Sequence, residues 1–149
     1  MKCQADIEAL ADEKLNDAEC LFDNKRYDGA YYLAGYSVEL LIKAKVCKTL
    51  GISDFFDFNN PAKTKLAAKN IDNIYKPYRV HDDAQLIVLS GIYTKFQEDM
   101  SIDPIFKKHW SIVSKWDENS RYLTGKSDKD VQNFIISIKE IMQWIRKHL

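Results

Sequence analysis

The chain has 149 residues, 46% of them apolar and 30% charged, which suits one globular domain spanning residues 1–149 with a core of its own. The same composition excludes a disordered, collagen-like or low-complexity chain. Basic and acidic side chains number 22 each, so the zero net charge argues against binding of nucleic acid or an acidic membrane by the whole surface, and leaves room for a local basic patch.

Few residues break helices, since the chain has three prolines and five glycines, and this favours long helices over a turn-rich β fold. The longest apolar stretch, residues 30–38, is far shorter than the roughly 20 residues that span a membrane, so no membrane association is expected. Three cysteines without a CxxC pair, behind an N-terminus that lacks signal-peptide character, predict a protein of the reducing cytoplasm.

The first two helices follow from apolar residues at three- to four-residue spacing. One covers residues 6–25, with Asp6 positioned to cap it. The second covers residues 27–50 and has two apolar stripes, so we expect neighbours on several sides and a place at the centre of the bundle. Gly51 is placed to end it in the left-handed conformation. Gly35 disfavours the helix by about 1 kcal/mol, and a close approach of another helix would explain it.

The rest of the chain predicts three further helices and one long connection. Residues 52–80 are the least regular part, with one short helix over residues 63–74. A third long helix covers residues 82–96, and a fourth opens at Asp103-Pro104, because proline suits a first helical turn. Residues 128–148 have the cleanest 3.6-residue period. No strand-type alternation competes, so the predicted fold is an all-α, up-and-down bundle of about five helices.

Positive charge concentrates in the last third, where residues 101–149 carry nine basic and six acidic side chains. Several of the basic ones lie in or near the polar connection of residues 117–126. One interpretation is a solvated face. The other is a phosphate site at Arg121, whose guanidinium would fork onto phosphate oxygens, with Tyr122 available to stack on a base and Lys126 nearby. The opposing interpretation pairs Arg121 with a carboxylate of the same connection.

A second group of candidates lies on the second helix. Glu39 and Lys43 are four residues apart, in the order that suits an ion pair. They are interpreted either as a structural pair at a bundle seam or as part of a polar cleft with Tyr32 and Tyr36. His81, at the start of the third long helix, is a candidate for the same cleft, or else a local cap-region contact or an exposed ring.

The remaining histidines offer no pattern for chemistry. His109 lies on the apolar line of the fourth helix and is interpreted as a core histidine with a satisfied ring, and His148 is near the end of the chain. No His or Cys pair has the spacing of metal ligands, so neither a metal nor a cofactor is expected. Phosphate-binding glycine loops and common hydrolase motifs are absent from the sequence.

Four short motifs resemble those of a known family. They read YDGA at residues 27–30, AGYSVELLIKA at residues 34–44, HDDAQL at residues 81–86 and SRY at residues 120–122. The second is moderately specific and is preceded by a first helix from about residue 14, while the last two are weaker echoes. In their order and spacing, over nearly the whole chain, they resemble the HEPN family of small prokaryotic helical domains.

The resemblance implies an up-and-down helical bundle that dimerises and binds RNA or nucleotides, often beside a small nucleotidyltransferase encoded as its partner. Many members are metal-independent ribonucleases with an Arg followed by four to six residues and then a His. Here the matching positions after Arg121 hold Lys126, Ser127 and Asp128, and no other arginine has such a His. The usual proton-transfer partner for attack by the 2′-OH is therefore missing.

Three functions remain open at this point. The missing Arg-to-His spacing favours a non-catalytic module that binds a nucleotide or RNA, or works with a nucleotidyltransferase, in a toxin–antitoxin or defence-type system. The alternative is a ribonuclease toxin with a rearranged site that uses His81 or His109. The third is a purely structural interaction domain. The family implies a homodimer, and four aromatic residues suggest more apolar surface than one helical layer buries: Phe96, Phe106, Trp110 and Trp116.

Overall fold

The computed structural model describes residues 3–57, 60, 61, 63, 73 and 75–149. This part of the chain is all-helical and contains no strand, as the sequence predicted. Its six α-helices and two short 3₁₀ helices follow in chain order, the α-helices being α1 Gln4–Asp23, α2 Tyr27–Leu50, α3 Asp83–Leu89, α4 Tyr93–Ile102, α5 Pro104–Val113 and α6 Asp128–Lys147, and the 3₁₀ helices Lys76–Tyr78 and Glu118–Tyr122.

Helix α2 is the centre of the bundle, which confirms the prediction from its two apolar stripes. It packs against α1, α3, α6 and the 3₁₀ helix Glu118–Tyr122. Fourteen of its 24 residues are buried, so nearly every side of the helix faces protein. Gly51 ends it with φ at +68°, the left-handed conformation that glycine adopts without strain.

Of the two residues predicted to cap helix starts, Asp103 does so and Asp6 takes a different position. The Asp103 carboxylate accepts hydrogen bonds from the backbone N–H groups of Ile105 and Phe106, and Pro104 occupies the first turn of α5, as predicted. Helix α1 begins earlier than expected, at Gln4. Asp6 is therefore inside the first turn, where its carboxylate accepts from the backbone N–H of Cys3, and it is not the residue that precedes the helix.

The single helix predicted over residues 82–96 is wrong, because the chain breaks there into α3 and α4. The break falls at Ser90-Gly91, where Gly91 has φ at +80°. The Thr49 hydroxyl donates to the Ser90 carbonyl at 2.6 Å and stabilises the turn against the end of α2. The apolar spacing continues through the break, so periodicity alone did not reveal it. The short helix predicted over residues 63–74 lies outside the described residues, apart from Lys63 and Asn73.

Gly35 lies under the indole ring of Trp116. A Cβ atom built at Gly35 would be 2.2 Å from Cδ1 of Trp116, well inside van der Waals contact. The expected close approach is thus made by one aromatic side chain from the segment after α5, and the predicted close approach of a whole helix was wrong. Because residue 35 has no side chain, the Trp116 ring packs directly on the backbone of α2, where it is 5% exposed.

The aromatic residues of α4 and α5 are packed inside the chain. Phe106 and Trp110 are buried, and Phe96 is half-buried with its ring edge-on to Trp110 at 4.9 Å. Together with Trp116 these were expected to exceed what one bundle buries, and that expectation was wrong, because the break at Gly91 folds α4 back onto α5 and α6. Among the described helices, none carries an apolar run long enough to cross a membrane.

Adding a methyl group at Gly35 tests the packing of Trp116 on α2. We expect Gly35→Ala to destabilise the fold by roughly 1–3 kcal/mol, because the new Cβ overlaps the indole and forces the ring out of its site. Urea unfolding followed by circular dichroism measures the free-energy difference.

Gly29→Ala is the matched control on the same helix. Its Cβ would be 3.2 Å from the terminal Cδ1 of Leu21, a flexible atom that can move aside. Helix propensity then favours alanine by about 1 kcal/mol, so this variant is expected to be neutral or slightly stabilised. Equal effects of the two substitutions would contradict the assignment.

Candidate functional site

The site is built around Glu39, which lies on α2 and has 0% exposure. The Lys43 ammonium donates to Glu39 Oε1 at 2.6 Å, which confirms the predicted ion pair. His81 Nδ1 lies 3.0 Å from each carboxylate oxygen. An ionised carboxylate can only accept, so Nδ1–H is the donor. A residue 42 positions away in sequence therefore joins the pair, just before the start of α3.

His81 connects this buried carboxylate to the surface. Its side chain is half-exposed, and Nε2 lies 3.3 Å from Oε2 of Glu118 on the 3₁₀ helix Glu118–Tyr122. A carboxylate that holds one ring nitrogen while the other faces outward fixes the orientation of an imidazole, as required for acid–base chemistry or for donating to a ligand. His81 is thus neither a local cap contact nor a freely exposed ring.

Asp83, at the start of α3, lies near Glu39 and Lys43. Asp82 takes the capping role, since its Oδ1 accepts from the backbone N–H of Gln85 at 3.0 Å, so Asp83 falls inside the first turn of α3 and is buried. Neither of its carboxyl oxygens has a hydrogen-bond partner among the described residues. Burial raises the pKa of Asp83 well above its ordinary value, and the charges of Glu39 and Asp82 raise it further against an opposing effect of Lys43. The surroundings therefore favour the neutral form of this carboxyl. We call Glu39, Lys43, His81 and Asp83 the Glu39 cluster.

A pocket of about 290 Å³ opens beside the Glu39 cluster, and we call it the tryptophan pocket. It lies between the start of α3 and the segment after α5, and its lining includes His81, Asp83, Trp110 and Trp116. The indole Nε1 of Trp116 is buried and has no hydrogen-bond partner in the described part of the chain. Two of the lining residues, Asp83 and Trp116, thus carry a polar group that no described residue satisfies.

An aromatic surface adjoins this pocket along α2. The rings of Tyr32 and Tyr36 are parallel, with an angle of 7° and centroids 6.4 Å apart, and Tyr32 lies 5.9 Å from Trp116. Burial raises the pKa of Tyr36, and the nearby Glu39 carboxylate raises it further. Tyr36 thus lies near Glu39 and Tyr32 beside Trp116, while His81 is the one residue of the predicted cleft in the lining of the tryptophan pocket.

Arg121 and Tyr122 extend the same surface. The Arg121 guanidinium lies over the Tyr122 ring at 4.9 Å, and Tyr122 is 71% exposed. Tyr122, Tyr32 and Glu118 raise the pKa of Arg121, which places the guanidinium between the tyrosines and the acid that faces His81. Among the described residues, no carboxylate forms an ion pair with Arg121. We call Tyr32, Tyr36, Arg121 and Tyr122 the tyrosine face.

Lys126 lies apart from this face, at the other end of the connection. Its ammonium is 4.2 Å from the centroid of the Tyr31 ring, and it lines a second pocket, of about 440 Å³, with Lys25 and Arg26 at the turn between α1 and α2. Asp28 fixes the connection there, because its carboxylate accepts from the backbone N–H groups of Gly125 and Lys126. Arg121 and Lys126, which were predicted to form one site, therefore lie at two separate positions.

Sequence reasoning missed Asp83, Trp116 and Glu118 as parts of this region. One signal was present: two consecutive aspartates at a helix start cannot both be its capping residue, so one of them was bound to face elsewhere. Trp116 was expected to belong to a surplus of aromatic surface. Its ring is buried instead, and only the fold shows that it lines a pocket.

The remaining features are His109 and the possible metal ligands. His109 Nδ1 lies 3.0 Å from Ser137 Oγ, between α5 and α6, in agreement with a satisfied histidine. Within the described ranges, no three His, Cys, Asp or Glu side chains are grouped so that they could hold a metal ion.

Comparison of the chain with models of known protein families, with curated protein sequences and with solved structures gave no match. The resemblance to the HEPN family is carried by the four sequence motifs alone.

The buried Asp83 predicts how stability depends on pH. The folded state holds the Asp83 proton more tightly than the unfolded chain does, so this residue destabilises the fold progressively as pH rises from about 4 through its raised pKa. Asp83→Asn removes that titration. We expect the melting temperature of the variant to gain on that of the wild type as pH rises over this range, with the smallest difference at the acidic end.

Asp82→Asn provides the neighbouring control. Asp82 is exposed, asparagine caps a helix about as well as aspartate, and Asp82 is the smallest of the causes that shift the pKa of Asp83, so this variant should follow the wild-type pH profile closely. A constant difference between Asp83→Asn and wild type at all pH values would contradict the assignment of a neutral, buried carboxyl.

Proposed function

We propose that this protein is a non-catalytic, HEPN-type module that binds single-stranded RNA or nucleotides through the tyrosine face. The observation that carries the proposal is the position of Arg121, which lies over the exposed ring of Tyr122 and has no ion-pair partner among the described residues. An unpaired guanidinium beside an exposed aromatic ring suits a phosphate next to a base.

Stacking supports this choice over a simple basic patch. The chain has no net charge, so electrostatic attraction to a polyanion is weak and localised. Aromatic stacking adds about 1–3 kcal/mol per base and tolerates any sequence. Tyr122 is exposed enough for such a stack, and the parallel Tyr32 and Tyr36 rings continue the aromatic surface along α2.

Replacing Arg121 tests the phosphate contact. We expect Arg121→Ala to weaken binding of a short single-stranded RNA and to lower the slope of log affinity against log salt by about one, because one phosphate contact is lost. The melting temperature should hardly change, since the side chain is exposed and unpaired. Fluorescence anisotropy over a salt series measures the binding.

Arg146→Ala is the charge-matched control. Arg146 is at the far end of α6, where it pairs with Asp12 of α1, so its loss changes the net charge equally without touching the tyrosine face. RNA affinity should therefore stay near the wild-type value. If Arg121→Ala instead lowers the melting temperature and leaves binding intact, Arg121 is structural and the proposed face is wrong.

A ribonuclease is the second candidate, favoured by the orientation of His81. Glu39 holds Nδ1, and Nε2 faces the 3₁₀ helix that carries Arg121. This arrangement would supply a base for the 2′-OH without the family's Arg-to-His spacing. The proposed function predicts no cleavage of RNA in the presence of a metal chelator. Chelator-resistant cleavage that is lost in His81→Gln and kept in His109→Gln would establish the enzyme instead.

The proposed setting is a cytoplasmic homodimer that works with a nucleotidyltransferase, as the resemblance implies. The described surface offers exposed apolar residues for such contacts, among them Ile102 and Ile105 at the corner between α4 and α5. Light scattering at high micromolar concentration is expected to give twice the chain mass. A monomer mass would remove the homodimer, and a monomer without RNA affinity would leave the structural interaction domain as the remaining function.

A further inference from the structure

Two residues that line the tryptophan pocket carry buried polar groups without a partner. Both carboxyl oxygens of Asp83 and Nε1 of Trp116 are shielded from water and have no hydrogen-bond partner among the described residues, and the two residues are 8% and 5% exposed. Buried polar groups are nearly always hydrogen-bonded, so a pair of exceptions in one pocket calls for an explanation. A ligand that satisfies both groups would supply it.

The charges around the pocket restrict the ligand. Asp82 and Asp117 carry carboxylates in the lining and disfavour a phosphate there. An ammonium ion has no acceptor to offer the Trp116 N–H. An uncharged group that presents an acceptor together with a donor would satisfy both residues.

Resting on the proposed function, we infer that the tryptophan pocket binds the edge of a nucleobase, with Trp116 Nε1–H donating to a base acceptor and Asp83 pairing with a base donor. Bases recognised in single strands are read in this way, by hydrogen bonds to one edge against aromatic side chains. Trp116 lies 5.9 Å from Tyr32, so the pocket adjoins the surface assigned to stacking and phosphate contacts.

The state of Asp83 agrees with this pairing. Burial and the neighbouring Glu39 raise the pKa of Asp83 and so favour the neutral carboxyl, a group that can donate and accept at once. Such a carboxyl pairs with the N–H and carbonyl of one base or with the ring nitrogen and amino group of another. The chemistry thus identifies a base and leaves its identity to the experiment.

Binding of 5′-AMP, CMP, GMP and UMP by the whole chain, measured by calorimetry beside ribose 5-phosphate, tests the inference. We expect at least one nucleotide to bind clearly more tightly than ribose 5-phosphate, which has the phosphate and sugar but no base. Trp116→Phe keeps a ring over Gly35 and removes the N–H, and Asp83→Leu removes the carboxyl. Each substitution should weaken binding of that nucleotide by about five- to tenfold, as expected for one lost hydrogen bond.

Two further variants keep the result interpretable. Asp83→Asn retains a donor and an acceptor in the same volume and should retain most of the affinity. Trp144→Phe is the matched indole control, because its Nε1 donates to Asp99 and lies outside the pocket. Melting curves establish that each variant is folded. If Asp83→Asn and Trp144→Phe keep their affinity, the loss in the other two variants comes from the missing hydrogen bonds and not from a damaged fold.

The outcomes separate this inference from the proposed function. Equal affinity for ribose 5-phosphate, no effect of Trp116→Phe and Asp83→Leu, or Asp83-dependent binding of putrescine in place of nucleotides would each overturn the base pocket. If these variants leave RNA binding unchanged while Arg121→Ala weakens it, the tyrosine face stands without the pocket. Nucleotide binding that depends on Trp116 but not on Arg121 would keep the pocket and overturn the tyrosine face.

Discussion

The burial of Glu39 is the constraint on which the arrangement of this region depends. A carboxylate with no exposure at the centre of a helical bundle has to be compensated, because an unpaired charge there would cost several kcal/mol. Lys43 compensates it from one turn along α2, and His81 does so from the start of α3. The first contact is local. The second fixes where the start of α3 meets α2.

That return positions everything else in the candidate site. With His81 held at Glu39, Asp82 caps α3 and Asp83 turns into the protein. Nε2 of His81 lies next to Glu118, so the 3₁₀ helix that carries Arg121 and Tyr122 is held beside the part of α2 that contains Glu39. Removing one partner of a buried ion pair typically destabilises a protein by about 3–5 kcal/mol, so the Glu39 cluster organises the fold as well as the site.

Trp116 completes the site through a different kind of contact. Its ring packs on the bare backbone at Gly35, which brings the segment after α5 against α2 and places the indole between Tyr32 and the tryptophan pocket. This packing contributes apolar burial, while the N–H at the ring edge stays without a partner. The same residue therefore stabilises the bundle and leaves one donor for a ligand.

The division between the tyrosine face and the tryptophan pocket suits a nucleotide better than a polyanion in general. Arg121 and Tyr122 are exposed and combine a charge with a stacking surface, whereas the pocket is lined by acids and tryptophans that disfavour phosphate. Lys126 contributes from a third position, with Lys25 and Arg26. A strand that crossed these positions would keep its phosphates at the basic ends and place its bases toward α2.

The sequence by itself determined helices α1, α2, α5 and α6 and the local pair on α2. Apolar spacing and end signals such as Gly51 and Asp103-Pro104 act between residues a few positions apart, so the three long helices and the Glu39–Lys43 pair could be predicted. Only the tertiary structure decided the break at Gly91, the seat of Trp116 on Gly35, the burial of Asp83 and the separation of Lys126 from Arg121. These depend on contacts between distant segments, since Thr49 meets Ser90 and Asp28 meets Gly125, and no periodicity encodes which segments meet.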